Sequence, residues 1–586
     1  MQRMQDAEDF SFDFKHFLTP LTTRKAICWI VIIGVIVYAN MLFNGFVWDD
    51  NFQIVTNPVV TGGQFFYYFT HTWGGFFRPL MFMIWTFLYQ LFHYNTFFYH
   101  LPQLLLHITN AFFIFLLFNY FLRRSTASLV LALIFLVHPI NEETVAYIAN
   151  LQDMLFVFFG LAALVLLLKR STHLSTFLLV SFLLLCSLLS KETGIVFFFV
   201  LPLFLWLCKR ERRATIWLLL SEAVSTIIYL LLRYLFGSFV SYLEVFWPID
   251  RLNLHQRLIN VPSIILYYIQ AFFIPLRLAI DRISVISTID IQNFYLPFAI
   301  DVLFFVLLTG GYLYLRRKKS DLAVAYLFFF IWFALGLLFH LQLIPLEMTV
   351  ANRWFYFPFV GLLGMLAIGV IEIPTYTKPV VHFAQICLCI LILLLAVRTI
   401  TRNTNWQNGV TLFAHAIQDE NNFDAENNYG AALSLEGDNQ TAIKAFTESI
   451  ALSPYEANLR NLGSAYLDAG YPKKAIGYFS KAYLAQTYNM DYPHKRNLDT
   501  YQELALSSYL YGSASEARQI AINGLMDYPN TQSFYLIEAL SEYKIGEKRL
   551  ALNASEKAYE LMPNQQTTYV YHQISNNLPI KISVSH

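Results

Sequence analysis

The feature that most restricts this chain is a succession of apolar runs, each long enough to cross a bilayer, crowded into the residues before about 400. A span needs roughly 20 mostly apolar residues. Runs at 26–43, 101–122, 126–140, 147–168, 174–190, 193–208, 214–236, 296–315, 321–339, 355–371 and 380–398 predict about eleven transmembrane helices. Hydrocarbon offers no partner to backbone N–H and C=O groups, so such runs fold as helices packed in a bundle.

Composition agrees. The chain is 57% hydrophobic and 13% charged, against about one quarter charged in soluble domains, and it reads as an integral membrane protein. Beyond 400 the text turns to soluble sequence such as "EGDNQTAIKAFTESIALSPYEAN". The expected organisation is a cytoplasmic tail at 1–25, a membrane domain at 26–400 with outer loops at 44–100 and 237–295, and a soluble domain at 401–575. A net charge of +1 excludes the electrostatic footprint of a nucleic-acid binder. Cys28, Cys186, Cys208, Cys387 and Cys389 all fall in apolar runs, so neither a disulfide framework nor a cysteine metal site is indicated. The first apolar run follows some 25 polar residues and reads as a retained anchor, not a cleaved signal.

Basic clusters orient the spans. Arg24/Lys25, Arg123/Arg124, Lys169/Arg170, "KRERR" at 209–213 and "RRKK" at 316–319 all face the cytoplasm if the amino terminus is inside. Counting the apolar stretch 257–275 as a span would put "RRKK" on the wrong side, so it reads as re-entrant or interfacial. Residues 79–93 read as an amphipathic helix on the outer surface. Asp49 and Asp50, "HPINEETVAYIANLQD", "SKE" at 190–192, "LIPLEMTVANRWFYFP" and the soluble domain then share one non-cytoplasmic face.

The soluble domain repeats. Aligning 425–454 with 458–482 superposes Gly430 on Gly463, Gly437 on Gly470, Ala442 on Ala475 and Phe446 on Phe479. Gly512, Ala517, Ala521 and Pro529 recur as Gly546, Ala551, Ser555 and Pro563, at the tetratricopeptide (TPR) period of about 34 residues. "QTYNMDYPHKRN" is an insertion between the second and third copies, and "GVTLFAHAIQDEN" an opening helix. Such an α-solenoid either packs against the membrane domain or holds a polypeptide on its concave face.

Ionisable residues beside apolar runs are the candidate functional groups. "FVWDD" places Asp49 and Asp50 where the chain leaves its first span. As a dipeptide this is a polar turn; beside Trp48 and the returning Arg78 of "FFRPL" it suits a partly desolvated general base. Glu142 and Glu143 follow the helix break at His138–Pro139, and Asp153 opens the next helix. His138 has no second histidine at ligand spacing and reads as a turn residue. Lys191 and Glu192 lie between two closely spaced runs, either as an ion pair anchoring a hairpin or as part of a site. Arg353, a lone arginine among aromatics on the outer side, suits a fixed anion such as phosphate, with Arg78, Arg257 and Arg282 as further candidates. Phosphate-binding glycine loops, zinc helices and serine elbows are absent from the sequence. Carboxylates and isolated arginines on one membrane face fit group transfer from a lipid-phosphate carrier to an extracytoplasmic acceptor.

In order, "FVWDD", "FFRPL", "HPINEETV", "SKETG", "ANRWFYFP" and "RNTNWQNGVTLFAHAI" resemble the motifs of the transmembrane and tetratricopeptide repeat (TMTC) proteins and their prokaryotic relatives, of which the chain reads as one. Those proteins resemble protein O-mannosyltransferases and carry the GT-C glycosyltransferase fold. The resemblance covers nearly the whole chain. It implies an all-α, polytopic GT-C helix bundle followed by a TPR solenoid. The implied activity is transfer of a sugar such as mannose from a polyprenyl-phosphate carrier to Ser or Thr of a protein held by the repeats, with inversion.

Carried over residue by residue, Asp50 is the implied base and Asp49 its alternate. Arg353, Arg78 and Lys191 are the implied donor-phosphate ligands, and Glu143, Asp153 and Glu192 supporting acids. Asn141, Leu151 and Asn352 depart from the family pattern, at positions expected to be His, Arg and Glu. No cofactor or metal is called for, although a metal at Asp50 is compatible. The implied partners are membrane lipid, a lipid-linked sugar and a protein acceptor, in an inner membrane with periplasmic repeats or an endoplasmic-reticulum membrane with luminal ones. Transfer of a lipid-linked sugar or glycan to a lipid or polymer, and a non-catalytic membrane-anchored scaffold, are the alternatives.

Overall fold

A computed structural model describes residues 21–72, 76–169, 173–236, 247–372, 378–485 and 497–581. Every named element among them is helical. The chain divides into two compact units, 1–415 and 416–586. The helix Lys378–Asn403 runs past residue 400 within the first unit, so Arg402 and Trp406 belong to the membrane unit and not to the repeats.

Seven helices of the described residues are long and apolar enough to cross a membrane: Thr23–Phe43, Phe97–Leu122, Ile148–Leu168, Arg212–Phe236, Ile291–Arg317, Asn352–Ile371 and Pro379–Trp406. An eighth arises if Ser125–Val137 and Pro139–Ala146, bent by 50°, form one broken span. The chain is thus an integral membrane protein by the length and composition of its helices. The expected count of eleven is not established, because Leu174–Ser190, Glu192–Leu207 and Ala323–Leu338 are apolar but shorter. Leu254–Phe273 is a full helix starting in an Asn253 capping box, yet falls outside the apolar set. Pro79–Phe92 is a 14-residue helix.

Local chemistry sets the helix ends that matter below. Thr22 caps the first helix, accepting from the Lys25 N–H at 3.3 Å. Arg123 closes Phe97–Leu122 in the left-handed region, at φ 53°. Pro139 cannot continue Ser125–Val137 and opens a 3-10 turn, capped by His138. The bundle centre is densely aromatic: Trp332 stacks on Phe357 with centroids 4.7 Å apart. Outer faces such as Val302, Leu303, Val306 and Leu307 remain exposed, as helices facing lipid require.

The second unit stacks helix pairs, from Phe423–Leu435 with Asn439–Leu452 to Gln532–Ile545 with Lys548–Leu561, closed by Gln565–Ser575. The repeat is visible in its crossings. A Cβ on Gly430 would lie 2.7 Å from the Phe446 ring, and one on Gly463 2.6 Å from the Phe479 ring, so each glycine admits the aromatic of its partner helix. Gly437, Gly470 and Gly546 sit at φ 83°, 80° and 101° after their first helices, a conformation that favours glycine. The third copy differs, with Gly512 at φ −123°. The insertion after the second copy falls on 486–496, outside the described residues, as do 1–20 of the expected tail and 237–246 of the second outer loop.

Candidate active site

The loop after the first span is pinned before it reaches the aspartates. Asn44 Nδ2 donates to the Asn403 carbonyl at 2.8 Å, and the Gly45 N–H to the Gln407 carbonyl at 2.9 Å. Trp48 then turns the chain through the left-handed region, at φ 52°, a strained state for a bulky residue that costs about 1–2 kcal/mol. Its indole stacks on Tyr147, centroids 5.3 Å apart, and Tyr147 stacks on Trp406 at 5.2 Å.

This turn gives the two aspartates different environments. Asp50 is fully buried. One of its carboxylate oxygens accepts from the Ala149 N–H at 2.7 Å and the other from the Val47 N–H at 2.9 Å, so it fastens the loop to the 147–150 turn. Asp49 is only partly buried. Burial pushes its carboxyl from the usual 3.8 up to about 6, helped by the Glu347 charge and opposed by the Tyr147 hydroxyl and the Arg353 guanidinium. Burial also pushes Asp50 upward, against its two amide hydrogen bonds. A carboxyl near 6, reachable from outside, is a usable general base at neutral pH.

Around Asp49 the acidic motifs resolve into charge pairs. Arg353 Nη1 lies 2.6 Å from Glu143, the two side chains being 10% and 1% exposed, and its guanidinium stands 5.9 Å from the Trp48 ring centroid. Arg402 Nε meets Glu142 at 3.3 Å, fully buried, and Nη2 donates to the Leu278 carbonyl. Lys191 Nζ bonds both oxygens of Asp153, at 2.6 and 2.9 Å. Glu192 is held between Arg78 and Arg233, each at 3.4 Å. Arg78 and Arg353 both act electrostatically on Lys191. The cluster is thus a set of paired charges, and of its cations Arg353 is the one that acts on Asp49; a phosphate leaving group would meet guanidinium and ammonium groups already held in place by carboxylates.

The expected residues Asp49, Asp50, Glu143 and Arg353 therefore converge, with Asp153, Lys191, Arg78 and Glu192 in adjoining pairs. Lys191 and Glu192 do not pair with each other across a hairpin. Lys191 ends Leu174–Ser190 in extended backbone and Glu192 opens the 3-10 turn Glu192–Val196, and each finds its partner elsewhere in the bundle. Arg257 spends its donors on the Leu252, Gln342 and Leu343 carbonyls and is a structural clamp. Arg282 stands over the Tyr267 ring at 5.1 Å. Asn352 accepts from the Tyr267 hydroxyl at 2.6 Å and donates to the Ala279 carbonyl at 2.9 Å. His138 takes the Ile140 N–H on Nδ1, and its Nε2 lies 3.0 Å from the Phe272 carbonyl, as a turn residue.

Sequence reasoning did not single out Arg402, Arg233, Tyr147 or Glu347. Arg402 lies in the quoted "RNTNWQNG" and Glu347 in "LIPLEMTV". Arg233, like Arg353, is a lone basic residue at the end of a span, and that signal could have found it. Among the described residues, no group of three or more His, Cys, Asp or Glu is placed to hold a metal ion.

No family model matches the chain. It is 26% identical over 457 residues to protein O-mannosyl-transferase F38B6.6 of Caenorhabditis elegans, covering 72% of this chain and 62% of that protein. It is 27% identical over 510 residues to protein O-mannosyl-transferase TMTC3 of Mus musculus, covering 77% and 54%. The chain thus spans less than two thirds of the length of these curated relatives. Among solved structures, similarity is found to YrrB, a TPR protein with an unusual peptide-binding site, at 14% identity and TM-score 0.25 over 36% of this chain and 97% of that one. A second similarity is to the APC/C hetero-tetramer Cut9–Hcn1, at 14% identity and TM-score 0.22 over 85% and 89%. Over most of its length, then, the chain is similar to proteins named as protein O-mannosyl-transferases.

Proposed function

We propose that the chain is a GT-C membrane glycosyltransferase that moves a sugar, mannose by the names of its relatives, from a polyprenyl-phosphate carrier to a Ser or Thr hydroxyl of a protein acceptor bound by the TPR repeats. The observation that carries this is the division of labour in "FVWDD". Asp50 is consumed by two backbone amides, whereas Asp49 is partly exposed, held near 6 and acted on by Arg353, which in turn acts on Lys191. The base is accordingly Asp49, and Asp50 builds the loop that presents it. This reverses the order that the motif resemblance implied.

In the reaction, the acceptor oxygen attacks the anomeric carbon as its proton passes to the Asp49 carboxylate. The bond from the anomeric carbon to the phosphate oxygen breaks, and polyprenyl phosphate leaves with the electron pair, its charge met by Arg353, Arg78 and Lys191. A single displacement inverts the anomeric centre. The chemistry takes place on the non-cytoplasmic side, and its steps call for no metal.

The test is transfer in membranes carrying the whole chain, supplied with a polyprenyl-phosphate sugar and Ser/Thr peptides. The expected product is a glycosylated peptide whose linkage has the anomeric configuration opposite to the donor's. A retained configuration, or no transfer from mannosyl, glucosyl and N-acetylglucosaminyl carriers, would overturn the reading.

A further inference from the structure

A polar cavity lies at the end of the membrane bundle away from the candidate active site. Three helices connect the two ends. Phe97–Leu122 carries Gln103, bonded to the Tyr147 carbonyl at 3.1 Å, and ends in Tyr120, Phe121 and Leu122 on the cavity wall. Leu151–Leu168 runs from Asp153 to the wall residue Leu168, roughly 22 Å at 1.5 Å per residue. Tyr356–Ile371 begins just after Arg353 and ends at Glu372, another wall residue.

The cavity holds about 860 Å³ and is lined by Arg123, Arg124, Arg210 and Lys318 against Asp321 and Glu372. Lys318 is engaged by Glu372 at 2.9 Å, and Ser320 also bonds that carboxylate, at 2.6 Å. Arg210 has no such partner. Its Nη2 caps the Leu167 and Leu168 carbonyls and bonds the Tyr120 hydroxyl, and its guanidinium stands 5.5 Å from the Phe204 ring. Its Nε and Nη1 are buried with no hydrogen-bond partner among the described residues. The cations exceed the carboxylates, and a buried guanidinium with spare N–H groups is expensive unless an anion completes it. The rest of the wall is apolar, with Phe121, Leu168, Leu322 and Val324, and Val324 is exposed on the outer surface. One polar wall and one apolar wall fit an amphiphile better than a free ion.

We propose that this cavity binds the phosphate headgroup of an anionic phospholipid from the leaflet opposite the candidate active site, Arg124 and Arg210 reading the phosphate and the apolar wall receiving the start of an acyl chain. The proposal does not depend on the catalytic reading.

The probe is phosphatidylglycerol, with phosphatidylcholine and inorganic phosphate beside it, and the readout is lipid retained by the full chain in neutral detergent by native mass spectrometry. Wild type should retain phosphatidylglycerol at concentrations at least tenfold below those needed for phosphatidylcholine. R124Q/K318Q, at two exposed positions, and R124Q/R210Q should each lose tenfold or more. R24Q/K25Q removes the same charge at the start of the first helix, on the same membrane end, and should change retention less than twofold. Wild-type retention by a folded cavity variant, or an equal loss in R24Q/K25Q, would overturn the proposal. Displacement of phosphatidylglycerol by an equal concentration of inorganic phosphate would assign the cavity to a free anion and overturn the lipid source.

Discussion

Ion pairs are built differently in the two units. Around the candidate site of the membrane unit the partners are desolvated and distant in sequence: Glu142 with Arg402, Glu143 with Arg353, Asp153 with Lys191. In the repeat unit they are wetter. Arg460 meets Glu456 one turn away and Glu503 on the next pair, and Arg518 meets Glu542 with its own side chain 35% exposed. Exposed pairs contribute about 0–1 kcal/mol. A buried pair gains little over apolar residues of the same shape, but removing one partner strands a charge at about 3–5 kcal/mol. The membrane pairs therefore act as a framework of fixed charge linked through Arg353 to Asp49, a carboxylate with no ion pair of its own among the described residues, while the repeat pairs trim a solenoid held by its glycine–aromatic crossings.

The comparison breaks most sharply at Arg402. Arg402→Met strands Glu142 in the bundle and should cost about 3–5 kcal/mol, read as a fall in the unfolding temperature of the detergent-solubilised chain; Glu142→Gln/Arg402→Met should recover most of it. If the single variant unfolds like wild type, the pair is not a framework element. Arg78→Gln sharpens the claim that the outer cations hold the donor: it should raise KM for the lipid-linked sugar about tenfold, one charge-assisted contact, about 1.4 kcal/mol, while kcat changes less.

The pH dependence follows from Asp49 alone. Its carboxyl must be ionised to take a proton, so kcat/KM should rise with pH through about 6 and level off above it. The stability sign is opposite: a folded value raised from 3.8 to about 6 means that ionising Asp49 removes stability as pH climbs between those values. D49N should then be at least as stable as wild type at pH 7.5, and the advantage should vanish near pH 4. The smallest effect belongs to the repeats. Arg460→Gln should lower stability by less than about 1 kcal/mol, and a larger loss would erase the contrast between the units.

Much of this was legible in the sequence because ionisable residues in apolar text stand out. Asp49, Glu143, Asp153, Lys191 and Arg353 were found that way. Their pairings were not, since Lys191 with Asp153 and Arg353 with Glu143 depend on which helices pack together. Arg402 was hidden because a basic residue near a helix end reads as topology. The different environments of the two aspartates hinge on the left-handed turn at Trp48, which sends one carboxylate into the 147–150 turn and leaves the other partly exposed, and tryptophan carries no local sign of that conformation. The repeats were readable through Gly430, Gly463, Phe446 and Phe479, because the same small-against-large crossing recurs each period. The number of spans was harder to read, since helices such as Ala323–Leu338 are apolar throughout but short.

The most direct test of the central claim sets D49N against D50N, measuring sugar transfer per folded molecule together with the unfolding temperature. The account predicts that D49N stays folded and loses about 10²–10⁴-fold in kcat. D50N, which keeps only one of the two oxygens that accept the buried Val47 and Ala149 amides, should lose about 1–3 kcal/mol of stability and keep transfer in the fraction that folds. A folded, inactive D50N beside an active D49N would contradict it.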